Sequence, residues 1–154
     1  MPNLLIREGR PAEILLVEDN RGDVLLASRA FRDAQIENNL TVVETAEMAL
    51  DVLRGEGEYA GRRLPDMILL DLNLPRMNGH ELLAIVKADD RLRHIPVIIL
   101  SSSHSDSDVS GSYGHHANAY IVKPVDLAKF KAVVASIEQF FFMVVVLPGH
   151  EAVA

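Results

Sequence analysis

An α/β fold is predicted for this chain: a five-stranded parallel sheet of (βα)5 connectivity, doubly wound by helices on both faces. Three observations predict it. Five short runs rich in Leu, Ile and Val recur along the chain, and helical patterns separate them. Parallel neighbours require such crossovers, so this alternation points to a parallel sheet. Most of the runs are continuously apolar, as strands covered on both faces are. A length of 154 residues fits one domain, which at that size buries roughly 68–70% of its unfolded surface.

The first run is Ile14, Leu15, Leu16 and Val17, and it ends abruptly in Glu18, Asp19 and Asn20. Val24, Leu25, Ala27, Ala30, Phe31 and Ala34 follow at helical spacing and predict an amphipathic helix. Residues 40–43 make the second strand. Thr45 reads as the N-cap of a helix carrying Met48, Ala49, Val52 and Leu53, with Gly55 as its stop. A polar connector over 56–63 leads through Pro65 to the third run, Met67, Ile68, Leu69 and Leu70, which ends in Asp71. The turn 73–79 opens a helix with Leu82, Leu83, Ile85 and Val86 inward. Pro96 introduces a fourth strand over 97–100 that ends in Ser101, Ser102 and Ser103. Residues 106–114 predict a weak helix with few apolar anchors. Tyr120, Ile121 and Val122 form a short fifth strand stopped by Lys123 and Pro124. Leu127, Phe130, Val133, Val134, Ile137, Phe140 and Phe141 pattern the last helix. The domain is placed at 13–143, between an N-terminal extension, 1–12, and a C-terminal tail, 144–154.

Composition narrows the function. With 49% hydrophobic and 24% charged residues the chain has the balance of a folded domain, not a disordered one. Fifteen Lys and Arg stand against 22 Asp and Glu, a formal net charge of −7. An acidic surface repels phosphate backbones and anionic lipid, so direct nucleic-acid or membrane binding is disfavoured. The chain has no Cys, which excludes disulfides, thiolate zinc sites and thiol nucleophiles. That absence suits a cytoplasmic setting. No leader pattern opens the chain, and the apolar run 140–147 is far short of the ~20 residues a membrane helix needs.

In an open α/β sheet the site lies at the carboxyl ends of the strands. Strand one ends in Glu18 and Asp19, strand three in Asp71, strand four in Ser101 and strand five in Lys123. Three carboxylates, a hydroxyl and an ammonium therefore converge on one edge. Two carboxylates about 4 Å apart repel by ~4 kcal/mol at an effective dielectric near 20, so the cluster calls for a cation. Mg²⁺ fits an all-oxygen set, and the lack of His or Cys ligands points away from zinc and copper. Lys123 suits a phosphoryl oxygen. A carboxylate nucleophile beside Mg²⁺ and Lys describes formation of an acyl phosphate on an aspartate.

These segments resemble the receiver domain of two-component response regulators. The resemblance rests on 14–20, on 69–79 (Leu-Leu-Asp-Leu-Asn-Leu-Pro-Arg-Met-Asn-Gly), on 96–101, and on Tyr120 through Pro124. Ser101 follows Asp71 by 30 residues and Lys123 follows Ser101 by 22, both as in that family. The resemblance covers about 13–141 and implies a flavodoxin-like receiver fold. It implies that Asp71 accepts a phosphoryl group from a sensor histidine kinase. Glu18, Asp19 and Asp71, with the backbone carbonyl of Asn73, would hold Mg²⁺. Ser101 would turn its hydroxyl to the phosphoryl oxygen, Lys123 would pair with it, and Tyr120 would be the aromatic switch. The bond from Lys123 to Pro124 is often cis in that family. Asn73 and Ser103 occupy positions that tune self-dephosphorylation.

The connector from Gly55 to Pro65 is longer than in the shortest receivers. With the stretch 20–23 it resembles the stand-alone regulators that serve bacterial phytochrome kinases. Such a protein signals to a downstream protein partner by phosphorylation-dependent binding. Alternatives are a phosphate sink, a non-phosphorylated adaptor, or a phosphatase with an aspartyl-phosphate intermediate. The phosphatases place a second Asp where this chain has Asn73, which counts against the last. The polar 105–114 segment departs from the usual partner surface. Phe140, Phe141 and Phe142 open an apolar run with no polar face, read here as a homodimer contact, with folding back over the domain as the alternative. His80, His94 and His104 read as surface residues without a constellation, and His115 and His116, being adjacent, face apart.

Overall fold

Continuous apolar runs put β1 (Ala12–Val17), β3 (Met67–Leu70) and β4 (Val97–Ser101) in the middle of the sheet, covered on both faces. The less buried β2 (Asn38–Val43) and β5 (Ala119–Val122) take the two edges. The computed structural model describes residues 10–102 and 106–144. Its five strands are all parallel, in the order β2-β1-β3-β4-β5. The chain leaves β1 toward one edge and returns to the other side for β3. That reversal opens a crevice at the carboxyl ends of β1 and β3.

The helices start and stop on local chemistry. Asn20 caps α1 (Arg21–Arg32) by accepting the Asp23 N–H at 3.0 Å. Thr45 does the same for α2 (Ala46–Arg54) at Met48, and Gly55 ends that helix in the left-handed region at φ 66°. Asn78 and Glu81 form a capping box at α3 (Gly79–Ala88). Next come α4 (Asp106–Gly114), which lacks an apolar stripe, and α5 (Leu127–Ile137), capped by Asp126. Two apolar cores result, one on each face. Leu53, Leu70, Leu82, Leu83 and Ile99 anchor the first, and Leu16, Phe31, Leu69, Phe130 and Ile137 the second.

Two elements differ from the sequence expectation. β1 and β2 each begin two residues early, because the ladder continues past the apolar runs to pair Ala12 with Asn38 and Glu13 with Asn39. The last helix stops being α-helical at Ile137 and widens into a π-helix, Glu138–Val144. There Glu138 is buried, and its Oε2 accepts the Ile36 N–H at 2.6 Å. The rings of Phe140 and Phe141 meet edge to face, centroids 4.9 Å apart, yet differ in exposure. Phe141 is 7% exposed and joins the second core, whereas Phe140 is 58% exposed. Ser103, His104 and Ser105 lie outside the described residues, and of Phe142 only the backbone is described. No helix among the described residues is long and apolar enough to cross a membrane.

Candidate functional site

Each site residue is placed by a strand end. Glu18 and Asp19 follow β1, and the Glu18 N–H still donates to the Val43 carbonyl at 2.9 Å. Asp71 follows β3, with its N–H held by the Val17 carbonyl at 3.0 Å. Ser101 is the last residue of β4 and fully buried. Lys123 follows β5, and its N–H donates to the Ser101 carbonyl at 2.8 Å. The hydrogen-bonded ladder thus delivers the predicted acidic residues and the lysine to one crevice.

Glu18 and Asp71 are 2% and 4% exposed, while Asp19 is open to solvent. One carboxylate oxygen from each of the three lies within 4.8 Å of the others. That is an all-oxygen donor set of the kind hard divalent cations take, with open solvent beside Asp19 for water ligands. Asn73 is exposed, and its N–H donates to Asp71 Oδ1 at 3.1 Å. Lys123 Nζ reaches Glu18 Oε1 at 2.6 Å, Asp23 Oδ2 at 2.7 Å and Asp71 Oδ2 at 3.1 Å.

The electrostatics follow from burial. Desolvation pushes the Glu18 carboxyl up to about 7; the Asp71 charge adds to the rise and the Lys123 hydrogen bond opposes it. Burial alone would lower the Lys123 pKa. Its hydrogen bonds to Asp23 and Glu18 and the charges of Asp71 and Glu18 outweigh that and hold it above the usual lysine range. The ammonium is therefore charged, and the crevice carries more carboxylates than cations.

Tyr120, the predicted switch, is half-buried against the first core, and its N–H donates to the Tyr113 hydroxyl at 3.1 Å. The three C-terminal phenylalanines are remote from the crevice, since Glu138 beside them binds the loop that enters β2. Three sequence expectations need correction or addition. His80 is not without partners: its Nε2 lies 3.2 Å from Asp108 Oδ1 and its ring is 6.3 Å from that of His115. Capping puts His80 in the first turn of α3, where it faces the weakly anchored α4. No cis peptide bond occurs among the described residues, so Lys123–Pro124 is trans, the form favoured by default even before proline. Asp23 is an addition to the sequence-predicted site: the N-cap at Asn20 aims the first turn of α1 into the crevice, where Asp23 Oδ2 meets Lys123 Nζ at 2.7 Å.

Comparison with known proteins shows the family. The response regulator receiver domain family matches residues 14–135. Response regulator Rcp1 of Synechocystis sp. is 38% identical over 139 residues, 90% of this chain and 95% of that protein. A probable methanogenesis regulatory protein, FilR2 of Methanothrix harundinacea, is 41% identical over 131 residues, 85% of this chain and 84% of its own. The crystal structure of the phosphorylated cyanobacterial phytochrome response regulator RcpA superimposes with a TM-score of 0.85 at 40% identity, covering 91% of this chain and 100% of that one. Rcp1 in its Mn²⁺-bound form gives 0.82 at 38% identity, covering 90% and 100%.

Proposed function

Since this chain belongs to the response regulator receiver family, we propose that Asp71 is the phosphoacceptor of a regulator that signals by phosphorylation-dependent protein binding. The observation that supports this reading is the cluster of Glu18, Asp19 and Asp71 in one crevice, with Lys123 bound to Glu18 and Asp71. An Asp71 carboxylate oxygen attacks the phosphorus of a phosphohistidine on a sensor histidine kinase. The new O–P bond forms as the P–N bond breaks, and the electron pair leaves with the imidazole. Glu18, Asp19 and Asp71, with the Asn73 carbonyl, are the residues to hold Mg²⁺. When bound, the ion supplies positive charge against the phosphoryl oxygens. Lys123 meets one of those oxygens, Ser101 donates its hydroxyl to another, and Tyr120 responds to the movement of Ser101.

The kinase partner is of the phytochrome class, a reading supported by the likeness to RcpA and Rcp1. The regulator acts in the cytoplasm, and its receiver unit is residues 13–143 with 1–12 and 144–154 flanking it. Support for a homodimer is narrower than the sequence pattern implied: Phe140 offers an exposed ring, and Phe141 is spent on the core. The protein is not an enzyme toward other substrates, because the position two after Asp71 is Asn73, which has no acid to offer a leaving group.

The test is intact mass after incubation with acetyl phosphate and Mg²⁺. One phosphoryl adduct in wild type, lost without Mg²⁺ and absent in Asp71→Asn, is the expected result. An adduct that persists in Asp71→Asn refutes the assignment.

A further inference from the structure

An ammonium has three protons to give, and in this crevice carboxylates take all three. Lys123 Nζ, only 8% exposed, sits 2.6 Å from Glu18, 2.7 Å from Asp23 and 3.1 Å from Asp71. A phosphoryl oxygen needs a charge-assisted bond at about 2.7–2.9 Å from the same nitrogen, so one carboxylate has to let go. Glu18 is nearly inaccessible at 2% exposure, and its other oxygen is held by the Asn20 N–H at 3.1 Å. Asp71 is the group that becomes phosphorylated. Asp23 differs from both. It lies outside the three-carboxylate cluster, its side chain is 25% exposed, and its place in the first turn of α1 lets water solvate it on release.

We infer that Asp23 is the exchange partner of Lys123, holding the third ammonium proton until a phosphoryl oxygen displaces it. Asp23 is thus a positioning residue, and it acts against the phosphorylated state. Every phosphoryl group that enters breaks the Asp23–Lys123 pair, and the released carboxylate adds its charge to a site that has just gained negative charge. The inference rests on the phosphoacceptor role proposed for Asp71.

Removing the charge while keeping the shape tests it. Asp23→Asn should lower the acetyl phosphate concentration that half-saturates adduct formation three- to tenfold, which corresponds to about 0.7–1.4 kcal/mol. It should lengthen the lifetime of the adduct by a similar factor. Asp23→Glu, which restores the carboxylate, should return both toward wild type. A metal-free readout accompanies these: proton exchange of the Lys123 ammonium with water, followed by ¹⁵N-edited NMR, should speed up several-fold in Asp23→Asn and not in Asp23→Glu. A merely structural Asp23 would lower folded fraction and maximal adduct without moving the half-saturating concentration. Unchanged half-saturation and lifetime in a folded Asp23→Asn, or slower phosphorylation that Asp23→Glu does not rescue, overturns the inference. A wild type that forms no Asp71-dependent adduct overturns the phosphoacceptor reading instead, and the ammonium exchange then still reports whether Asp23 holds Lys123.

Discussion

Gly79→Ala should damage stability and phosphorylation together, although Gly79 offers no side chain to the cluster or to Lys123. The reason is the approach of α3 to the strand end that carries Asp71. A Cβ on Gly79 would lie 2.5 Å from the Asp71 carbonyl oxygen and 2.6 Å from Leu72 Cα. Both are backbone atoms, so no rotamer relieves the clash. Reaching even 3.0 Å, a separation real Cβ atoms essentially never undercut, requires a shift of at least 0.5 Å. That shift strains the Gly79 N–H bond to the Leu72 carbonyl, 3.0 Å, or the Asp71 N–H bond to the Val17 carbonyl, 3.0 Å. Overpacking of this kind costs about 1–3 kcal/mol. A displacement of Asp71 approaching 1 Å costs on the order of 10²-fold in rate, so a half-ångström shift predicts about a tenfold loss. Urea denaturation measures the first and the initial rate of adduct formation from acetyl phosphate the second. Stability within about 0.5 kcal/mol of wild type, with an unchanged rate, would refute the claim that this contact positions Asp71.

Three other perturbations follow from burial and charge. Glu18, raised to about 7 by burial, must be ionised to hold a cation, so Mg²⁺ affinity measured by calorimetry should rise with pH through neutrality and Glu18→Gln should flatten that slope. By the same shift the folded state without metal binds the proton more tightly than the unfolded one, so its stability should fall as pH climbs from about 4.5 to about 7. Burial also raises the pKa of Glu138; Glu138→Gln keeps an acceptor for Ile36, removes a stability loss that grows with pH above the ordinary glutamate range, and should gain on wild type as pH rises in urea titrations. Glu138→Ala leaves the Ile36 N–H unpaired and should cost about 1–3 kcal/mol. Leu53→Ala removes a fully buried side chain from the first core and should cost about 2–5 kcal/mol, read as a drop in melting temperature.

What was legible in the sequence, and what was not, divides along one physical line. Strand interiors and caps are local: Leu69 and Leu70 before Asp71, Thr45 before α2 and Gly55 after it announce themselves within a few residues. Strand ends then fix the crevice, because parallel topology permits its carboxyl-edge residues to meet nowhere else. Asp23, Glu138 and His80 depend instead on contacts across the fold. Asp23 reaches Lys123 a hundred residues away, Glu138 reaches Ile36 over 102, and His80 reaches Asp108 over 28. An Asp in a helix's first turn is ordinarily a dipole partner, and a Glu after an apolar stripe is ordinarily solvated. Nothing local marks these as exceptions. The π-turn is equally unmarked in the sequence: the heptad-like spacing of Phe130, Val134, Ile137 and Phe141 is helical, yet the turn widens from Glu138, whose buried carboxylate accepts the distant Ile36 N–H.

The proposed signal has to leave the crevice, and the polar contacts of α4 give it a route. Moving a two-state element from 1:99 to 99:1 takes ~5.5 kcal/mol of differential binding, and a phosphoryl group brings nearly two negative charges. Buried Ser101 and the nearly buried Lys123 are where such charge acts with least screening. Both are wired to β5: the Lys123 N–H is held by the Ser101 carbonyl, and the Tyr120 N–H by the hydroxyl of Tyr113 on α4. On its other side α4 meets α3 through His80 and Asp108. Among the described residues of α4, Ser112 is fully buried and its hydroxyl turns back to the Asp108 carbonyl, so even its inward face is polar. A helix fastened by hydrogen bonds worth about 0.5–1.5 kcal/mol each yields well before one fastened by buried leucines. On the phosphoacceptor reading proposed for Asp71, α4 is the element expected to loosen, and unchanged amide exchange over its described residues on phosphorylation would refute that.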